Sequence, residues 1–190
     1  MNITQIDRFM PIQREFRSTK ELYCYAKNKI IACAKNKKKE YLIIADTKNN
    51  KILYEKLGNR DSVDISNFVF PEKEKQNIAV IHGHVTRNGS PLSVSDCLHL
   101  CHHKYEKIIA FNKKGRFALF QIKPNSNINE ASRFFRYGIL FRECPFLPKS
   151  FVKKWFVLHF GNIEKRYENW VKQFLEKPNM NFRYSSTMFK

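Results

Sequence analysis

Apolar and polar positions along the chain change period several times, and each change marks an element. Ser18, Thr19, Lys20 and Glu21 have the spacing of a capping box. Leu22, Tyr25, Ala26 and Lys29 continue at helical intervals, which predicts a helix over about 19–29. The run YLIIAD is short, apolar and rich in strand formers. Lys48, Asn49, Asn50 and Lys51 supply turn residues, and KILYEK reads as the partner strand of a hairpin, closed by Gly58, Asn59, Arg60 and Asp61. The stretch around PEKEKQ is polar and reads as a loop; NIAVIHGH reads as a buried strand ending in histidines. Asn88, Gly89, Ser90 and Pro91 are a strong turn signal. Ser93, Val94, Ser95 and Asp96 then open a helix with Cys97, Leu100 and Cys101 inward. KIIAFN and RFALFQI, separated by Lys113, Lys114 and Gly115, form a second hairpin. Helix, strands, helix, strands is the order of an α+β or mixed α/β domain, here over residues 1–125.

After Pro124 the character changes, and residues 126–190 read as a basic, aromatic-rich extension that is mainly helical and docked on the domain. FVKKWFVLHF fits a helix or an extended segment. Ile163, Tyr167, Trp170 and Phe174 recur at three and four residues and make one apolar face of a helix. The last residues, NMNFRYSSTMFK, read as a loose tail.

Composition sharpens this picture. Hydrophobic residues are 43% of the chain and aromatics 14%, which is too apolar for a disordered chain. The 35 Lys and Arg against 17 Asp and Glu give a net charge of +18 and favour an acidic protein or a nucleic acid as partner. That excess is spread along the chain rather than gathered on one tail or element. Cys24, Cys33, Cys97, Cys101 and Cys144 are an odd number, which argues for free thiols in a reducing compartment, hence a cytoplasmic location. The first residues lack the apolar stretch of a Sec signal peptide, and FVKKWFVLHF is too short and too charged to span a bilayer. Export to another cell by a receptor-read signal stays compatible with these patterns.

His82 and His84 are two apart at the end of a strand, so alternation puts both imidazoles on one face. Asp96 sits in the first turn of the next helix, within reach of the strand end. Two imidazoles and a carboxylate leave a fourth tetrahedral position open, the pattern of catalytic rather than structural zinc. Such a site needs a base, and Glu40 at the mouth of the YLIIAD strand is the candidate. Blander readings stand beside these. Asp96 has capping-box spacing to Ser93, and Glu40 follows a lysine run in which a solvated charge is ordinary. Cys97, Cys101, His102 and His103 lie close together, but without a second ligand pair at a zinc-finger interval they read as two buried thiols beside exposed imidazoles.

Glu40 ahead of a strand, then His82-Gly83-His84, then Ser93-Val94-Ser95-Asp96, resembles the Glu, His-x-His, Ser-x-x-Asp signature of the JAMM (MPN-domain) zinc metallopeptidases. The hairpin EYLIIADTKNNKILYEKLGN and the stretch NGSPLSVSD are most similar to the bacterial and phage RadC-like branch, and the likeness covers about residues 18–122. The resemblance implies a curved mixed sheet flanked by helices, of the cytidine-deaminase-like kind. It implies His82, His84 and Asp96 as Zn2+ ligands, Glu40 as general acid and base, and Ser93 as a hydroxyl that steadies the tetrahedral intermediate. It also implies hydrolysis of peptide or isopeptide bonds at ubiquitin or ubiquitin-like conjugates. The chain departs from the pattern at Gly83 and Val85, and its stretch from His84 to Ser93 is one residue longer than usual.

Three function classes therefore follow. The first is a zinc-dependent isopeptidase or peptidase. The second is a catalytically inactive scaffold on the same fold. The third is a nucleic-acid binder using basic residues interleaved with aromatics over 133–142 and 151–172.

Overall fold

The structure is a computed structural model that describes residues 14–60, 63, 70, 72–85, 92–143, 177 and 180–188. Its strands are β1 (Arg14–Glu15), β2 (Tyr41–Asp46), β3 (Lys51–Leu57), β4 (Ile78–His84), β5 (Lys107–Asn112), β6 (Arg116–Ile122) and β7 (Phe182–Met188). Its helices are α1 (Thr19–Asn36), the single turn α2 (Glu72–Lys75), α3 (Val94–His103) and α4 (Ile128–Glu143). The strands form one mixed sheet in the order β1-β3-β2-β4-β5-β6-β7, so the architecture is α+β. β4 and β5 are parallel and every other pair is antiparallel.

Period-two alternation divides the sheet into two apolar faces. On one face Ile43, Ala45, Ala79, Ile81, Ile109 and Phe111 pack against Leu22, Ala26 and Ile30 of α1. The other face presents Leu42, Ile44, Val80, Ala110 and Phe120 to Leu100 of α3 and to Ala131 and Phe135 of α4. Helix α1 starts where expected, with the Ser18 hydroxyl accepting from Glu21 N–H, but it runs well past residue 29. Ile30, Cys33 and Ala34 continue its buried stripe until Lys38, whose φ of 52° ends it. PEKEKQ differs from the expected loop by the turn of α2.

The tail corrects the sequence reading more sharply. Within NMNFRYSSTMFK the described residues 180–188 are not loose, because Phe182–Met188 pairs along the whole of β6. Phe182 and Tyr184 are buried while Arg183 between them is exposed, the alternation of a half-buried strand. The Phe120 ring lies 5.2 Å from Phe182 and 5.6 Å from Phe135, so α4 and β7 meet over the same core. The stripe Ile163, Tyr167, Trp170 and Phe174, the segment FVKKWFVLHF and the turn at Asn88–Pro91 lie outside the described residues.

Candidate metal centre

Among the described residues the buried polar or charged side chains are Glu40, His82, Ser93 and Asn112, and all four stand at one end of the sheet. Burying polar groups costs free energy unless they are paired, so their concentration in one place points to a site. His82 and His84 leave β4 on the α3 face. Gly83 between them faces α1, where an added Cβ would come within 2.2 Å of Ile30 Cγ2. Leu42 is registered with His82, and continuing that antiparallel register by two residues brings Glu40 beside His84.

The donor atoms converge. His82 Nε2 and His84 Nε2 stand 3.1 Å apart; Asp96 Oδ1 is 3.3 Å from the first and Oδ2 is 3.2 Å from the second. Ligands about 2.0–2.1 Å from zinc at tetrahedral angles are themselves about 3.3 Å apart. The two imidazole nitrogens match that spacing, each carboxylate oxygen matches it to one histidine, and one donor atom from each residue lies within 4.8 Å of the others, a set that a single Zn2+ can draw together. The donor chemistry fits too, since two imidazoles and one carboxylate are ordinary zinc ligands and leave one position for water or substrate. This is the one group of three or more such ligands among the described residues.

Two devices hold the set. The Ser93 backbone N–H donates to Asp96 Oδ2 at 2.6 Å, and the Asp96 N–H donates to Ser93 Oγ at 3.1 Å. The capping box therefore does occur, and it fixes the carboxylate that faces the histidines. Glu40 Oε1 lies 2.9 Å from His84 Nδ1, so an Nδ1–H donated to it leaves Nε2 for a metal, the usual second partner of a ligating histidine. Glu40 is 4% exposed at its side chain and makes no other side-chain hydrogen bond among the described residues.

The cluster perturbs its own titration. Burial pushes the His84 pKa down, but hydrogen bonds to Asp96 and Glu40 together with their charge outweigh it and raise the value to about 9. Burial would raise the Asp96 pKa, yet His82 and His84 hold it well below the usual carboxylate range.

The other candidate ligands separate. Cys97 and Cys101 are buried in the core beneath α3 while His102 is exposed. Burial pushes the Cys97 thiol well up and the Cys101 thiol to about 12. The sequence reading missed Asn112, whose register partner is His84 and whose Oδ1 accepts from the N–H groups of Lys114 and Arg116. Asn-Lys-Lys-Gly between two strands was the available signal, but it reads only as a turn. No family model, curated protein or solved structure matches the chain, so the resemblance to JAMM metallopeptidases stands on these residues and their order alone.

Proposed function

We propose that the chain is a zinc-dependent peptidase or isopeptidase of the JAMM type, acting on amide bonds of ubiquitin or ubiquitin-like conjugates. The observation that carries this reading is the convergence of His82 Nε2, His84 Nε2 and the Asp96 carboxylate within 3.1–3.3 Å, with Glu40 against the same histidine. Zinc bound there would polarise a carbonyl and bring the pKa of water toward neutrality.

The remaining work falls to the chain. Glu40 Oε1 orients His84, and its second oxygen would take a proton from the attacking water and return it to the leaving nitrogen. Asp96 supplies a fixed negative charge because its capping box prevents rotation. The Ser93 hydroxyl accepts from Asp96 N–H, which leaves its own hydrogen free for an oxyanion.

The test is metal analysis of purified protein together with cleavage of a ubiquitin-like conjugate, with and without chelator. About one zinc per chain and chelator-sensitive cleavage are expected. Protein that holds zinc and cuts no such conjugate would remove the hydrolase part of the proposal.

A further inference from the structure

Charge is unequally divided between the two edges of the sheet that the strand ends form, above and below the strands. The ends of β4 and β5 at His84 and Asn112 lie beside the starts of β2 and β6 and the end of β3. Three segments flank the metal-ligand cluster there: the residues before Glu40, those after Leu57, and the turn after Asn112. They carry Lys37, Lys38, Lys39, Arg60, Lys113 and Lys114, all exposed and none in an ion pair among the described residues. The carboxylates that the described residues place beside the cluster, Glu40 and Asp96, are engaged with the histidines. At the opposite edge two of the cations meet acids, Lys51 meeting Glu15 at 3.5 Å and Lys107 meeting Glu106 at 2.6 Å, and the exposed Lys48, Lys104 and Lys123 there are scattered among Asp46, Glu74 and Glu106.

The collar is built rather than merely exposed. Glu40 N–H donates to Asn59 C=O at 2.8 Å and Gly58 N–H to Glu40 C=O at 2.9 Å, which ties the Lys37–Lys39 segment to the segment bearing Arg60. On the other side Asn112 Oδ1 fixes the turn that carries Lys113 and Lys114. Gly115, at φ 80°, takes the left-handed backbone conformation that the turn requires. Cations on both sides of a recessed cluster focus a positive potential on it.

We propose that this collar binds an acidic polypeptide segment and sets the substrate class of the site, an amide flanked by Asp- and Glu-rich chain. The inference rests on the hydrolase reading above. A peptide fits better than a nucleic acid for two reasons. The described collar presents no exposed ring for bases to stack on, since Tyr41 is half-buried with its hydroxyl donating to Glu55 Oε2 at 2.8 Å. Leu57, 38% exposed at the same edge, offers apolar contact to a peptide side chain.

The experiment is fluorescence anisotropy on the full chain with a labelled Glu/Gly peptide and, separately, a labelled oligothymidylate of equal charge. Lys37→Gln/Lys38→Gln/Lys39→Gln and Lys113→Gln/Lys114→Gln are each expected to weaken peptide binding at least ~10-fold at low salt, whereas Lys48→Gln/Lys123→Gln at the far edge should change it less than ~2-fold. Equal losses in all three variants, or tighter binding of the oligothymidylate, overturn the proposal. His82→Ala/Asp96→Ala should still bind the peptide, which separates the two readings. Peptide binding by a wild type that cuts nothing leaves the collar standing without the hydrolase. Chelator-sensitive cleavage indifferent to both collar variants retains the hydrolase and removes the collar.

Discussion

Ile30 occupies the space that a side chain at Gly83 would need: its Cγ2 stands 2.2 Å from the position of an added Cβ. Helix α1 is thereby seated directly on the strand segment between the two candidate histidine ligands. We expect Gly83→Ala to destabilise the protein by about 1–3 kcal/mol through overpacking and to weaken zinc binding at the same time. Ile30→Ala alone should cost about 2–5 kcal/mol as a cavity. The double variant should be markedly less damaging than the sum, because the new methyl enters the vacated space. Strict additivity in urea-unfolding midpoints would mean that the two residues are not in contact.

Local periodicity made much of this molecule legible. Both hairpins, the strand Ile78–His84 and the Ser93 cap follow from alternation, turn residues and capping-box spacing. His82 and His84 are readable as a pair for the same reason. Pairing across distance was not readable. Glu40 meets His84 through the register of β2 against β4, 44 residues apart in sequence, and no local pattern encodes that register. The last strand escaped because Phe182 and Tyr184 alternate among Asn, Arg and Ser, which as an isolated stretch look solvated. Only the free edge of β6 makes a strand of them.

That edge gives the second expectation. Phe182 is buried against Phe120, so Phe182→Ala should cost about 3–5 kcal/mol, the range for removing a buried aromatic. Thermal unfolding of the variant would check it. An unchanged midpoint would show that β7 contributes nothing to the cooperative unit.

Zinc should stabilise the folded chain by mass action, since the ligand set is assembled only in the native state. At free zinc 100 times the Kd the gain is about 2.7 kcal/mol. His82→Ala/Asp96→Ala should abolish both the bound metal and the zinc-dependent rise in Tm. A Tm rise that survives in this variant would place the metal elsewhere.

The metal-free protein should lose stability as pH rises through the alkaline range. His84 has a folded pKa of about 9 against an unfolded value near 6.5, so the folded state binds the proton more tightly. Its contribution is complete below the unfolded value and fades between the two. Asp96 works in the opposite sense: its pKa is depressed, so its contribution is present above the usual carboxylate range and fades as pH falls. Urea midpoints of chelated protein across pH 6–9.5 measure the first effect. With zinc bound the decline should shrink, because the metal takes the place of the Nε2 proton, and zinc affinity itself should rise over the same interval. A flat profile for the chelated protein would contradict the hydrogen bonds assigned to His84.

Glu40 separates support of the metal from chemistry, because it has two oxygens and the proposal gives each its own task. Oε1 accepts from His84 Nδ1–H at 2.9 Å, a role that a neutral carboxamide oxygen can also fill. Taking a proton from water is a role that a carboxamide cannot fill. Glu40→Gln should therefore keep the fold and hold zinc within about 10-fold of wild type, while cleavage falls by about 10²-fold or more. Glu40→Ala should lose on both counts, since His84 then has no partner to fix its tautomer. Its zinc affinity should fall by about 10–100-fold. Zinc titration and single-turnover cleavage on the same preparations distinguish the two variants. Full activity in Glu40→Gln would assign the base to another residue and leave Glu40 as the partner of His84 alone. Equal zinc affinity in Glu40→Ala and wild type would remove even that role.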